Sequence, residues 1–175
     1  SYDGTKLLFS MRRAADPNWR VWEYDIARQS MRQIVCDAGV RNVAPAPGDD
    51  IDPAYLPDGR IVFASNRQEK SRLLMQQQGL PLFAYLDEYE REPTAVLHVM
   101  NSDGTNCRQI SFNQSHDRNP TVLADGRIMY SRWDHVGGRN EFNIFTTNPD
   151  GTELFVLYGA HSPGNSFLHP RELPD

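Results

Sequence analysis

Histidine and aspartate side chains gather just ahead of three prolines of this sequence, and these residue types are the ones best suited to chemistry. Imidazole nitrogens and carboxylate oxygens bind divalent metals and polar ligands. The same side chains ahead of a proline also hydrogen-bond to the backbone and shape a turn, and their spacing matches no fixed metal-ligand pattern. A ligand site, with a divalent metal as one occupant, and a purely structural role both stay open. The candidates are His116, Asp117, His161, His169 and Asp52.

Arginines recur at a second kind of position, directly after an apolar run that ends in serine. They are Arg12, Arg67 and Arg132. A guanidinium binds an anion through two parallel hydrogen bonds, so a set of arginines could hold an anionic ligand. Recurrence favours a structural explanation, in which each arginine pairs with a carboxylate or carbonyl of a neighbouring loop. Arg67 and Arg132 are kept as ligand-binding candidates beside that interpretation.

A third feature is an apolar stretch within residues 76–92, followed by the acidic run 87–92. Apolar side chains that project from a domain can dock a partner. The same stretch can equally fold back over the chain that carries it. The candidate partner contacts are Leu82, Phe83, Tyr85 and Leu86.

The composition excludes several classes of function. The 175 residues carry a formal charge of −5, which argues against nucleic acid as a partner because such binders cluster excess Lys and Arg. No apolar run approaches the roughly 20 residues that cross a bilayer, so no membrane insertion is expected. The chain has neither the Gly-x-Ser-x-Gly of a nucleophile elbow nor the Cys-x-x-Cys-His of haem attachment. Apart from the metal considered above, we expect no cofactor in this chain and no catalysis by it alone.

Internal repeats supply the elements that must position these residues. The segment DGRIVFAS at 58–65 recurs as DGRIMYSR at 125–132 and, more loosely, as DGTKLLFS at 3–10. A proline precedes the aspartate by five residues in the second and third units, and the same spacing returns at 170–175. Each Asp-Gly lies between two apolar runs, which predicts a hairpin because Gly accepts the positive φ of a tight turn.

A second hairpin follows the first in each unit, at 97–111 and 143–157, and at 21–35 without the Asp-Gly. We call the two strands of the first hairpin a and b and those of the second c and d, so the c-to-d turn closes the second hairpin. Four short antiparallel strands that repeat every 50 to 67 residues or so are typical of β-propeller blades. The sequence therefore predicts an all-β fold, about three four-stranded blades from a larger propeller of about six to eight blades. Strand alternation places the tight turns on one face and the long connections, among them 66–95 and 133–141, on the other face together with the candidate residues.

The predicted blade boundaries follow from the repeats. Blade 1 covers about 1–36, blade 2 about 50–112 with an insertion at 67–95, and blade 3 about 118–158, and a further blade starts at 168–175. A short helix is expected near 68–78 in the insertion. Cys36 and Cys107 fall on different blades, so two buried or half-buried free thiols are the prediction, in preference to a disulfide.

The repeat resembles a known family. The segments 52–67, 100–104 and 108–111 are similar to the TolB-type propeller repeat, and the phrases 115–120 and 161–170 resemble the propeller domain of hydrazine synthase alpha-subunit-like bacterial proteins. The resemblance implies a periplasmic or secreted location. The first residues of this sequence do not have the basic-then-apolar pattern of a leader, and Ser1 is not expected to be the native start. It also implies that any haem chemistry belongs to domains outside the repeat.

Two functions remain open at this stage. The favoured one is a non-catalytic binding or scaffold segment of a larger extracytoplasmic bacterial protein, whose partners are another protein or the remaining blades of the same propeller. The alternative is a substrate-gating or site-forming part of a redox or hydrolytic enzyme whose catalytic groups lie outside this chain. The repeated residues specify the fold, and fold alone does not decide between the two.

Overall fold

Three antiparallel β-sheets and one helix form from the residues that the structure describes. The structure is a computed structural model that describes residues 1–37, 48–81, 85–136, 138–162, 164 and 166–173. Neighbouring strands in each sheet are neighbours in sequence, as in propeller blades. The elements are β1 Lys6–Met11, β2 Arg20–Asp25 and β3 Ser30–Ile34 in blade 1; β4 Asp50–Tyr55, β5 Ile61–Ser65, α1 Glu69–Gln77, β6 Val96–Met100 and β7 Arg108–Gln109 in blade 2; and β8 Asp117–Val122, β9 Ile128–Val136, β10 Arg139–Thr147 and β11 Phe155–Tyr158 in blade 3.

The predicted fold class is confirmed, and blades 2 and 3 have the four antiparallel strands expected of them. Blade 1 has three strands within the described residues. Helix α1 occupies the position predicted for it, between β5 and β6. Among the described residues, no helix is both long and apolar enough to cross a membrane.

The Asp-Gly turns close the hairpins by a shared mechanism. The Asp58 carboxylate accepts a hydrogen bond from the backbone N–H of Arg60 at 3.1 Å, and the N–H of Gly59 donates to the Leu56 carbonyl at 2.9 Å. Gly59 has a φ of +85°, a left-handed conformation that costs glycine little. The c-to-d turns impose a second demand, since a Cβ on Gly104 would lie 2.1 Å from the Val35 carbonyl oxygen of blade 1. Only glycine fits there.

The first strand of each four-stranded blade carries a bulge at the residue before its proline. Asp52 and Asn119 both have a φ of +54°, and the strand registers shift between Ile51 and Ala54 and between Arg118 and Thr121. His169, at the equivalent position of the next repeat, has a φ of +53°. Asp, Asn and His are the non-glycine residues that adopt this conformation most readily, so their residue types suit the bulge. Strands β4 and β8 begin at Asp50 and Asp117, two residues ahead of these bulges.

Apolar side chains fill the spaces between adjacent blades. Blade 2 contributes Val62, Leu97 and Val99 to a core that it shares with Ile128 and Tyr130 of blade 3. Its opposite face packs Ile61, Phe63 and Met100 against blade 1, where Val21 and Ile34 are the buried partners. Sheets stacked face to face in this way hold the connections at their ends in fixed positions.

The two cysteines form a disulfide, so the prediction of free thiols was wrong. The Cα atoms of Cys36 and Cys107 are 5.3 Å apart. Cys36 follows the last strand of blade 1, and this end of the strand lies beside the c-to-d turn of blade 2. The N–H of Asp37 donates to the Gly104 carbonyl at 2.8 Å, and the N–H of Cys107 donates to the Asp37 carbonyl at 3.0 Å. Two cysteines on different blades are thereby brought together.

Blade 3 differs from the prediction in the connection between its second and third strands. Residues 133–141 were expected to form a long connection, but β9 and β10 continue as a paired hairpin from Ile128 opposite Thr147 to Val136 opposite Arg139. Trp133 and Phe142 pair across it and stack with ring centroids 5.3 Å apart. Aromatic pairs across antiparallel strands stabilise such an extension.

Candidate binding site

Asp117 and Arg132 form a buried ion pair at the start of blade 3. Nε and one Nη of Arg132 donate to the two carboxylate oxygens of Asp117 at 2.8 and 2.9 Å. Ser111 Oγ donates to the same carboxylate at 2.6 Å, and Asn113 Nδ2 donates at 3.2 Å. Asp117 is fully buried and Arg132 is 8% exposed. The carboxylate is saturated by this chain, so the pair anchors β8 to the middle of β9 and presents little to a ligand.

Blade 2 contains the equivalent pair, formed from a different sequence position. Arg67 donates to Asp50 from Nε at 3.2 Å and from Nη2 at 2.5 Å, and Nε also contacts Ser65 Oγ at 3.1 Å. Ser65 lies opposite Asp50 in the strand register, the place that Arg132 takes opposite Asp117. Arg67 therefore reaches the same point from two residues further along the chain. Both arginines thus pair with carboxylates, as the structural interpretation of the repeat expected.

Asp52 links the inner strands of two blades. Its carboxylate accepts hydrogen bonds from Arg118 Nε at 3.3 Å and from the backbone N–H and side-chain amide of Asn119, both at 3.2 Å. The two bulged residues, Asp52 and Asn119, are thus in direct contact across the junction between blades 2 and 3. Both Asp52 and Arg118 keep part of their side chains in contact with solvent.

His116 lies on the long-connection face under an aromatic stack. Its ring is parallel to Trp133 with centroids 5.6 Å apart, and Nδ1 accepts a hydrogen bond from the Ala95 N–H at 3.1 Å. Its Nε2 is 3.7 Å from a Glu92 carboxylate oxygen. Burial, with help from Arg118, lowers the pKa of His116 against the opposing effect of Glu92.

The other two candidate histidines do not join this group. His161 and His169 are exposed, and in the part of the chain that the structure describes no hydrogen bond, ion pair or ring contact connects them to His116. No cluster of three or more metal-ligating side chains occurs among the described residues. A divalent metal site was expected from the residue types alone. No arrangement of the described residues supports it.

The insertion of blade 2 folds back onto the propeller over its described part. Leu82 and Phe83 lie outside the described residues. Tyr85 and Leu86 belong to a small hairpin, residues 85–94, which we call the clasp; Leu86 bridges to Pro93. Gln68 anchors the clasp by donating from Nε2 to the Thr94 carbonyl at 2.8 Å.

The clasp contacts blade 3 through a cluster of polar side chains that the sequence did not indicate. Glu88 contacts His135 Nδ1 on the extended β9–β10 hairpin and accepts a hydrogen bond from Ser115 Oγ at 2.9 Å. The Tyr89 hydroxyl lies 3.1 Å from His135 Nε2. The signal for this extension was Gly137-Gly138, a dipeptide typical of two-residue hairpin turns, but no sequence pattern placed His135 opposite an acidic loop.

Each end of the three-blade stack exposes an apolar sheet face. On blade 1, Leu7 and Met31 point away from blade 2 and are 55% and 49% exposed. On blade 3, Phe155 and Tyr158 pair with Thr146 and Ile144 on the side away from blade 2; they are 60% and 56% exposed, at the edge of a buried patch where Phe167 packs against Ile144 and contacts Tyr158. The inner faces of these sheets pack against neighbouring sheets in this molecule. Large apolar side chains exposed on an outer face are typical of a surface that another sheet covers.

Comparisons with known proteins support the fold. No family model matches the chain, and no curated protein matches it. A solved structure described as a TolB from Agrobacterium tumefaciens is similar with a TM-score of 0.63 and 16% identity, over 90% of this chain and 47% of that one. The hydrazine synthase of Kuenenia stuttgartiensis also has a TM-score of 0.63, with 17% identity, over 94% of this chain and 25% of that one. The chain thus spans half or less of each, and the TolB-like resemblance is confirmed at the level of the fold.

Proposed function

We propose that this chain is a non-catalytic binding and scaffold segment of a larger, extracytoplasmic bacterial protein, and that its exposed sheet faces are covered by further blades or by a protein partner. One observation carries the proposal: Asp117, Arg132 and Arg67 are held in internal ion pairs, whereas the two end faces leave large apolar side chains exposed. A rigid platform with unfilled interfaces supports association better than it supports a reaction.

The disulfide supports the extracytoplasmic part of this proposal. Disulfides persist in the periplasm and outside the cell, and are rare where cytosolic reductants keep thiols reduced. The Cys36 to Cys107 bond joins two blades at the rim of the stack. The likeness to hydrazine synthase is one of fold, so the alternative of a site-forming segment in a redox or hydrolytic enzyme stays a prediction.

Sedimentation velocity tests the end faces. We expect the 175-residue chain to self-associate as its concentration rises, because a sheet face that offers Phe155 and Tyr158 to water gains by stacking. The variant Phe155→Lys/Tyr158→Lys should shift the distribution toward monomer. The matched control is Leu80→Lys, which removes an exposed apolar side chain from the insertion and not from an end face. A chain that stays monomeric across the concentration range, or a control variant with the same effect, would refute the proposal.

A further inference from the structure

Residues 166–173, which we call the tail, lie against blade 3 in the way that each blade begins on the one before it. At both blade junctions, and again at the tail, a backbone N–H donates to a carbonyl of the preceding blade. The three bonds run from Asp50 to Trp19 at 3.0 Å, from Asp117 to Ala95 at 2.8 Å and from Phe167 to Phe142 at 2.9 Å. Each of the three donors also precedes a proline by three residues. The tail is therefore seated on blade 3 as the first strand of a further blade.

The rest of the tail supports this placement. His169 has the left-handed φ of +53° that is typical of the bulges in β4 and β8. The Glu172 carboxylate accepts a hydrogen bond from the backbone N–H of Ala124 at 2.6 Å. Beyond an isolated bridge between Ser166 and Phe142, no strand among the described residues pairs with the tail. The tail thus has an open edge to which a second strand can add.

Phe167 occupies the position at which blades 2 and 3 carry the aspartate of their buried ion pair. Its ring packs against apolar side chains of blade 3 and is perpendicular to that of Tyr158, with centroids 5.0 Å apart. A Cβ on Gly159 would lie 3.0 Å from this ring and one on Gly164 would lie 3.2 Å from it, so both glycines leave room for it. An arginine brought here by the next strand would be buried without a carboxylate, which is strongly unfavourable.

We propose that the tail and the outer face of blade 3 bind one further blade, whose second strand pairs with the tail and carries an apolar residue, in place of the buried arginine, opposite Phe167. The inference rests on the scaffold role and names the partner that this face takes. It is supported by continuity with the two existing junctions, whose backbone hydrogen bond the tail repeats. Phe155 and Tyr158 then become buried between two sheets, and the removal of their apolar area from water stabilises the contact.

Two extended chains test this preference. Residues 125–158, which form the second to fourth strands of blade 3, are appended after Pro174, so that Asp125 follows Pro174 as Asp58 follows Pro57. One extended chain keeps the copied sequence, and the other carries Arg132→Leu in the copy alone. We expect the backbone amides of the copy to exchange with deuterium at least tenfold more slowly in the second chain, because its second strand brings no unpaired charge to Phe167.

The matched control is Arg132→Leu in blade 3 of the unextended chain. It should have the opposite effect and speed exchange in blade 3, because Asp117 loses its partner there.

The unsubstituted chain gives a second measurement, which needs no variant to fold. The amide of Phe167 should exchange at least tenfold more slowly than that of the exposed Leu173, because it is hydrogen-bonded to blade 3. Self-association of the unextended chain tests the scaffold role, whereas the difference between the two extended chains tests the partner alone. Equal protection of the two copies, protection of neither, or a Phe167 amide that exchanges as fast as that of Leu173 would overturn the proposal.

Discussion

Asp117 and Arg132 illustrate how this chain uses its most reactive-looking side chains. A buried charge without a partner is costly, whereas two hydrogen-bonded partners with saturated lone pairs are tolerated. Asp117 accepts four hydrogen bonds from three side chains. The pair therefore fixes the entry of β8 into the sheet and leaves the carboxylate without a vacant position for a metal.

Removing one partner of this pair should be strongly destabilising. Asp117→Asn leaves the Arg132 charge buried and uncompensated, so we expect the free energy of unfolding to fall by roughly 3–5 kcal/mol. Urea denaturation followed by tryptophan fluorescence measures the change. Asp125→Asn breaks the exposed pair with Arg127 and should cost less than about 1 kcal/mol. Equal effects of the two substitutions would show that the burial of Asp117 is unimportant.

At this scale the sequence indicated the type of contact and not the partner. Recurrence of Arg67 and Arg132 after the second strand suggested pairing with a carboxylate. The carboxylate could not be identified, because Arg67 lies two residues beyond the register position that Arg132 occupies and still reaches the equivalent aspartate. Asp52 and His169 were selected as candidates because their side chains can bind ligands. What they share in the structure is a left-handed backbone conformation before proline. The residue type alone is a weak indicator of that conformation.

Among the elements, the extended β9–β10 hairpin and the clasp depend on each other. The clasp contributes Glu88 and Tyr89, and the hairpin contributes His135. The strand pairs of blades 2 and 3 were predictable from apolar alternation and Asp-Gly turns. This contact was not, because residues 133–141 contain charged and glycine residues that resemble a loop until the partner hairpin is present.

Loss of His135 should loosen the clasp without unfolding the blades. In His135→Leu we expect backbone amides of the clasp, such as those of Asp87 and Thr94, to exchange with deuterium about tenfold faster, since His135 makes two of the contacts that hold the clasp to blade 3. Exchange in β5 and β6 should be unchanged. His161→Leu serves as the control because His161 is exposed. Protection of the clasp equal to that of the unsubstituted protein would mean that other contacts hold it in place.

For the whole molecule, the disulfide is the covalent link between blades 1 and 2. It closes a loop with a sequence separation of 71 residues, for which chain entropy corresponds to about 4 kcal/mol of stabilisation. The sequence could not predict it. Cysteine positions show which blades carry them, whereas the lateral offset that places the end of β3 beside the c-to-d turn of blade 2 depends on how the two sheets stack.

Reduction should therefore lower the thermal stability of the chain. We expect the melting temperature in dithiothreitol to fall to that of Cys36→Ala/Cys107→Ala, which itself should not respond to the reductant. Differential scanning calorimetry measures both, and thiol titration of the denatured, unreduced protein should detect no free thiol. Two titratable thiols, or a melting temperature that the reductant leaves unchanged, would contradict the disulfide as a stabilising link.

Some contacts within the blades are repeated from blade to blade, whereas several contacts between blades occur at one junction. This difference affects the order in which the blades can be arranged. The arginine–aspartate pair recurs in blades 2 and 3, so a copied blade would carry its own internal lock. The two junctions share the close approach of a c-to-d glycine to the neighbouring blade, but their side-chain and covalent contacts differ. Blade 1 meets blade 2 through the disulfide and the hydrogen bond from the Tyr55 hydroxyl to Glu23, whereas blade 2 meets blade 3 through Asp52 and the clasp. The contacts at each junction are therefore specific to the two blades that meet there. A transposed or duplicated blade would keep its internal ion pair but would lack these contacts to its new neighbour.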